Sequence, residues 1–418
     1  MKFKRIFIVF ILTIFFMFNT YTFASDSNNN LNISSDAAIL MDYQTSKILY
    51  GKNEEKKLYP ASTTKILTAI LVIENCNLSD TATASANAIT SIPSGYSVAD
   101  IQVGEVFTIE QLLQALMVHS ANDAANVLAE YVSGSIENFS TLMNKKSSEI
   151  GCTNSHFVNP SGKHDDNHYT TAYDLAIIMQ YCMKNETFRN LAGIKSCIIP
   201  PTNKSGERTY INTNQLLIKN TEDGSINYYY PYAIAGKTGY TTQAKNCLVC
   251  VSKRNDLELI SVVLGGDINP DGLDSRFSDS KALFEFGYQN YSIKKIVEKG
   301  SIVKQVEIIN GTKDTRILSL VVSDDILALI NSNQDISALS PKIEVIDGLS
   351  APILEGSVVG QISYSINGIL YKSDLIASHD VETSNELSLI FRISLIGLAV
   401  LLILIVYKLV SSKNYTDN

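Results

Sequence analysis

The sequence predicts an α+β domain, then a small all-β domain, then a terminal apolar helix. Three observations carry this expectation. Strand-like runs near the start and again after residue 230 enclose a long block of helical periodicity. Between residues 292 and 378, short β-branched runs alternate with turn signals such as Asn310-Gly311 and Asn367-Gly368. Residues 387–407 are apolar almost throughout, with Arg392 near the start as their one charge.

In order, residues 37–41 and 47–51 read as two strands around the turn Tyr43-Gln44-Thr45-Ser46. Pro60-Ala61-Ser62-Thr63-Thr64-Lys65 then opens a helix over the apolar run 66–73, and residues 79–103 are polar and irregular. Residues 108–117, 124–132 and 136–150 have helical spacing, broken at His119-Ser120-Ala121-Asn122-Asp123. Asn159-Pro160-Ser161-Gly162 starts a loop that runs to His168, and residues 170–183 read as the next helix. A strand over 230–235 leads to Lys237-Thr238-Gly239 at its end. Residues 247–252 and 257–264 form a hairpin about Arg254-Asn255-Asp256, and a helix over 273–291 closes the domain. The expected boundaries are 34–291 for the α+β domain, 292–378 for the β domain and 379–386 for a linker. The β strands are expected at 301–309, 317–322, 342–345, 358–365 and 369–373.

The 418 residues are 45% hydrophobic and 18% charged, which suits a globular chain with two domains. A net charge of −8 argues against a nucleic-acid partner. Lys2, Lys4 and Arg5 precede the apolar residues 6–18, and Thr22-Phe23-Ala24 is a small-x-small cleavage site. Residues 1–24 therefore read as a signal peptide and 25–33 as a flexible lead-in. At the other end, 387–410 read as a transmembrane anchor. Asp380, Glu382 and Glu386 precede it while Lys408 and Lys413 follow it. That asymmetry puts the tail, 411–418, in the cytoplasm and the α+β domain on the extracytoplasmic face of the cell membrane. Six cysteines in an exported chain permit disulfides. Cys247-Leu248-Val249-Cys250 has metal-like spacing but no second pair, and lies in a strand-like run that reads as core. No metal or cofactor is expected.

Ser62 and Lys65 stand one helical turn apart, so their side chains share a face. A serine hydroxyl needs a base to take its proton, and a neutral lysine can be that base. Ser-x-x-Lys also occurs at Ser278, Ser292 and Ser301. Only the copy at Ser62 follows a strand pair and is followed in order by Ser120-Ala121-Asn122 and Lys237-Thr238-Gly239. Ser85-Ala86-Asn87 repeats the second motif in the irregular region. A Ser-His-Asp triad would need a histidine beside Ser62. His119 adjoins Ser120 but reads as a packing or capping residue, His168 reads as structural, and no Gly-x-Ser-x-Gly elbow is present.

Together these motifs resemble the penicillin-binding proteins and serine β-lactamases. The closest resemblance is to the low-molecular-mass D-alanyl-D-alanine carboxypeptidases. It extends over Tyr59-Pro60-Ala61-Ser62-Thr63-Thr64-Lys65, Ser120-Ala121-Asn122-Asp123-Ala124-Ala125 and Phe157-Val158-Asn159-Pro160-Ser161-Gly162. It continues over His168-Tyr169-Thr170-Thr171-Ala172-Tyr173-Asp174-Leu175 and Gly236-Lys237-Thr238-Gly239-Tyr240-Thr241. The resemblance implies a β-lactamase/transpeptidase-like domain, an antiparallel sheet with helices and a helical subdomain. It implies Ser62 as nucleophile, Lys65 as base and Ser120 as proton relay. It implies Asn122 as a bridge between Lys65 and a substrate amide, and Lys237, Thr238 and Arg276 at the substrate carboxylate. Gly239 would let the strand approach substrate, and the backbone N–H groups of Ser62 and Tyr240 would form the oxyanion hole. The implied reaction removes the terminal D-alanine from peptidoglycan pentapeptides. The implied partners are peptidoglycan stem peptides, β-lactam antibiotics that acylate the serine, and the membrane holding the C-terminal helix. Two positions depart from the pattern: Tyr240 stands where some relatives have histidine, and Gln243-Ala244-Lys245-Asn246 replaces a small Ala-Gly pattern. Lys245 reads as a solvated hairpin residue. Two alternatives stay open. A β-lactamase would hydrolyse the drug rapidly, although residues 159–174 hold no Glu-x-x-x-Asn. A catalytically silent wall-binding protein, with the β domain as its interaction module, would not be labelled by penicillin at Ser62.

Overall fold

Ala37–Asp42 (β1) and Ile48–Lys52 (β2) form the opening hairpin, and every residue of β1 is buried. The computed structural model describes residues 31–219, 226–384 and 386–413. The expected signal peptide, most of the lead-in and the end of the tail lie outside the described residues.

A 3-10 turn, Ala61–Thr64, leads into Lys65–Asn75 (α1). This helix is apolar on nearly all sides, which demands a central position. Its residues from Lys65 to Val72 are buried, and it packs against the helices that follow. Those are reached through Thr81–Thr83 (β3), Ala86–Thr90 (α2) and Val106–Thr108 (β4). Ile109–Val118 (α3) starts at a capping box between Thr108 and Gln111. Asn122–Ser133 (α4) and Ile136–Ile150 (α5) follow, the latter capped by Ser135. Thr171 caps Ala172–Met183 (α6), and Asn185 caps Glu186–Ala192 (α7). A short hairpin, Ser196–Ile199 (β5) with Arg208–Ile211 (β6), sits beside α3. The sequence reading did not anticipate α7 or this hairpin.

Ala233–Thr241 (β7), Lys245–Arg254 (β8) and Leu257–Gly266 (β9) complete an antiparallel sheet of order β2-β1-β9-β8-β7. Ser275–Asn290 (α8) contacts β1, β8 and β9, and α6 contacts the same three strands. The central strands are therefore covered on both faces, which is why β1 and β9 are buried along their whole length. β7 is left as an edge. Lys237-Thr238-Gly239 lies inside this strand, not at its end as the sequence reading had it, because the pairing with β8 runs on to Thr241.

The second domain holds Tyr291–Val297 (β10), Ile302–Glu307 (β11), Ile317–Val322 (β12), Ile326–Asn331 (β13), Lys342–Val345 (β14), Val358–Ile366 (β15) and Ile369–Ala377 (β16). A five-stranded sheet of order β11-β12-β16-β15-β14 accompanies the pair β10-β13. Leu318, Leu320, Ile362 and Leu375 fill its core. The segment expected as a linker is pinned at its start, where Val381 is buried and bridges Ile353. Glu386–Lys413 (α9) is helical, and the apolar side chains described on it, such as Ile393, Leu398 and Ile403, are exposed. Among the described residues no helix is both long and apolar enough to cross a membrane.

Candidate active site

Ser62 lies in the 3-10 turn and Lys65 is the first residue of α1, with its side chain fully buried. The Thr63 hydroxyl donates to the Pro60 carbonyl at 2.7 Å and helps hold the turn. Lys65 Nζ lies 2.8 Å from Ser62 Oγ, 2.8 Å from Asn122 Oδ1 and 2.7 Å from the Ser161 carbonyl oxygen. The last two partners can only accept, so they take two N–H bonds. Ser62 can donate, so a neutral amine fits all three contacts with its lone pair aimed at the serine proton. Burial is the main force holding Lys65 well below the usual lysine range, and the charge of Lys237 adds to it, while Asp123 opposes it. Ser62 also stands in the first turn of the helical segment, where backbone N–H groups lack intrahelical partners and face an incoming anion.

Ser120 and Asn122 sit at the break between α3 and α4. Ser120 takes a left-handed backbone with φ 65° and lines the cleft. Asn122 Nδ2 donates to the Ser97 carbonyl at 2.9 Å, which leaves Oδ1 aimed at Lys65. The buried Asp123 carboxylate accepts backbone bonds from Ala99 and Ile101 and so fixes the 97–101 segment against α4. His119 stacks on Tyr210 with ring centroids 4.4 Å apart and reaches the Val98 carbonyl, so it packs and caps as expected.

The Asn159–His168 loop supplies a wall that the sequence reading left without a role in the chemistry. Asn159 Oδ1 accepts from the backbone of Ser161, Gly162 and Lys163, and Thr68 holds the Pro160 carbonyl. These bonds hold the Ser161 carbonyl where it meets Lys65 Nζ. Gly162 has φ +80°, and a β-carbon there would fall onto the Ala61 carbonyl. His168 is buried behind this loop, beside Thr64, and is structural.

The opposite wall is β7. A β-carbon on Gly239 would stand 2.9 Å from the Pro60 carbonyl oxygen and 3.0 Å from the Ser62 nitrogen, so only glycine lets the strand lie this close. Lys237 is buried, with the Thr238 carbonyl at 3.1 Å as its one hydrogen-bond partner among the described residues. Burial, with the nearby Arg276 charge, lowers its amine to about 7. Arg276 is held by Asp274 at 2.7 Å and reaches the Gly239 carbonyl at 3.4 Å. Ser62, Ser120, Asn122, Thr238, Gly239, Tyr240 and Arg276 all border one cleft of about 560 Å³. Thr213, which the motifs did not single out, borders it too. Its side-chain oxygen lies 2.5 Å from that of Thr238.

The chance copies fall elsewhere. Ser85 caps α2, and both Ser85 and Asn87 bond Glu130. Ser278 lies on α8, where its hydroxyl bonds back to the Asp274 carbonyl. Lys245 pairs with Asp267 at 2.6 Å on the exposed hairpin. Cys247 and Cys250 are buried in β8, and all six cysteines are free thiols.

The domain that carries this cleft is similar to known proteins. A family model described as D-alanyl-D-alanine carboxypeptidase matches residues 23–268. The chain belongs to that family. A second model, the C-terminal domain of penicillin-binding protein 5, matches residues 291–383. The chain is similar to D-alanyl-D-alanine carboxypeptidase DacF of Bacillus subtilis, 29% identical over 85% of this chain and 88% of that one. It is 28% identical to DacA of Haemophilus influenzae, over 80% of this chain and 82% of that one. Among solved structures, penicillin-binding protein 5 from Haemophilus influenzae superposes with a TM-score of 0.63 at 27% identity, over 84% of this chain and 98% of that one. The catalytic domain is thus β-lactamase/transpeptidase-like and is followed by a small all-β domain.

Proposed function

We propose that this chain is a serine-type D-Ala-D-Ala carboxypeptidase that removes the terminal D-alanine from peptidoglycan pentapeptides. The observation that carries the reading is the 2.8 Å approach of a buried lysine amine to Ser62 Oγ. Ser62 Oγ attacks the carbonyl carbon of the penultimate D-alanine while its proton passes to Lys65 Nζ. The oxyanion forms between the backbone N–H groups of Ser62 and Tyr240, each worth about 3–4 kcal/mol of barrier. Collapse breaks the C–N bond, and Ser120 relays the proton to the leaving amine. Water then hydrolyses the ester. Lys237, Thr238 and Arg276 receive the terminal carboxylate, or the equivalent carboxylate of a β-lactam. The open edge of β7 suits an extended peptide laid along it. Asn122 spans Lys65 and the substrate amide.

The chain is read as a membrane-held, extracytoplasmic enzyme. Residues 1–24 are the leader, 34–291 the catalytic domain, 292–378 the β domain, 387–410 the anchor and 411–418 the cytoplasmic tail. Support comes from the apolar run 387–407 and from the exposed apolar side chains of α9. Fractionation tests it: the chain should sediment with membranes and a chain ending at residue 384 should not.

The enzyme claim is tested with the full chain in detergent and a D-Ala-D-Ala pentapeptide. Wild type should release D-alanine and take up labelled penicillin, and Ser62→Ala should do neither. A folded wild type that releases no D-alanine sinks the proposal. Rapid drug turnover would move the assignment to a β-lactamase.

A further inference from the structure

The cleft holds a residue whose placement the family motifs leave unexplained. Thr213 faces the cleft between two buried asparagines that fix its backbone. Asn212 Nδ2 donates to the Ile194 carbonyl at 2.7 Å. The Asn214 backbone donates to Asn212 Oδ1 at 2.8 Å, and Asn214 Oδ1 accepts from Leu216 N at 3.1 Å. The Thr213 backbone N–H donates to the Val118 carbonyl at 3.3 Å, at the end of α3 just before Ser120. Its side chain crosses to Thr238 on β7, oxygen to oxygen at 2.5 Å. One residue therefore ties the helical wall that carries Ser120 to the strand wall that carries Lys237-Thr238-Gly239.

Proton counting gives this tie a chemical consequence. Two hydroxyls carry two protons, and their mutual bond uses one. Neither hydroxyl has another hydrogen-bond partner among the described residues, so one proton is left to point into the cleft. We propose that Thr213 is a positioning residue: its hydroxyl donates to Thr238 Oγ1 and so turns the Thr238 proton toward the substrate carboxylate. This rests on the reading that Thr238 meets that carboxylate. A threonine with no such partner could rotate its hydroxyl proton away and oppose the anion with lone pairs.

The test compares penicillin acylation of wild type, Thr213→Val, Thr213→Ser and Thr238→Val, separating initial binding from the chemical step, with melting temperatures alongside. Thr213→Val should weaken initial binding by about tenfold or more, the scale of one hydrogen bond to a charged group. Its melting temperature should fall by about 5 °C at most, as the loss of one hydrogen bond allows, and Thr213→Ser should restore binding to within about twofold. Wild-type binding by Thr213→Val overturns the inference. So does an equal loss in Thr213→Ser, or a loss that comes with a fall in melting temperature beyond about 5 °C. If Thr238→Val also binds like wild type, the carboxylate reading itself fails. If Thr238→Val weakens binding and Thr213→Val does not, only the role of Thr213 fails.

Discussion

Gly239 leaves no room for a side chain beside Ser62: a β-carbon on residue 239 would stand 3.0 Å from the Ser62 backbone nitrogen. The neighbours it would meet include the Pro60 carbonyl and the Ser62 nitrogen, which are backbone and cannot rotate away. Gly239→Ala must therefore push β7 off the nucleophile turn. A displacement near 1 Å in such a site costs about a hundredfold in rate. Penicillin acylation should fall by about that factor. Acylation near the wild-type rate would show that the strand edge and the Ser62 nitrogen do not act together.

His168 sets a stability window. Burial holds its imidazole down to about 3, against an unfolded value near 6.5. Val158 N donates to Nδ1, so the proton sits on Nε2 and points to Thr64 Oγ1 at 2.9 Å. The folded state resists protonation, so this contribution is present above pH ~6.5 and is lost as pH falls toward 3. The loss totals at most about 5 kcal/mol. Urea unfolding between pH 4 and 7 should show wild type losing stability more steeply than His168→Gln. Parallel curves would contradict the buried neutral imidazole.

Lys237 sets a binding window. Its folded amine titrates at about 7, and only the charged form attracts a carboxylate. Initial binding of penicillin or pentapeptide should therefore weaken by about tenfold per pH unit above 7, with the rate at saturation nearly unchanged. A binding constant flat from pH 6 to 9 would place the carboxylate elsewhere.

Much of this site was legible because its chemistry is carried by side chains at short, ordered spacings. Ser62, Lys65, Ser120, Asn122, Lys237, Thr238, Gly239, Tyr240 and Arg276 are all brought to one region of the fold. What escaped was carried by backbone or by tertiary pairing. The Ser161 carbonyl that contacts Lys65 has no side-chain signature, and its placement depends on Asn159, whose bonds form only in the folded loop. Thr213 becomes visible only when β7 is laid beside the 212–214 segment. In the fold, Ile326–Asn331 was missed because Ile-Leu-Ala-Leu-Ile has no alternation to read. The short hairpin of β5 and β6 was missed because residues 200–207 separate its strands, with no tight turn to mark the pairing.

The central claim is that Lys65 is neutral in the resting site and takes the Ser62 proton. The most direct test is the pH dependence of the acylation rate of the wild-type chain at saturating penicillin. Burial and the charge on Lys237 hold the Lys65 amine far below 10.5. The rate should therefore level off well before pH 10 and fall on the acid side of that plateau. A rate that climbs about tenfold per pH unit up to about pH 10, as an ordinary lysine demands, would contradict the account.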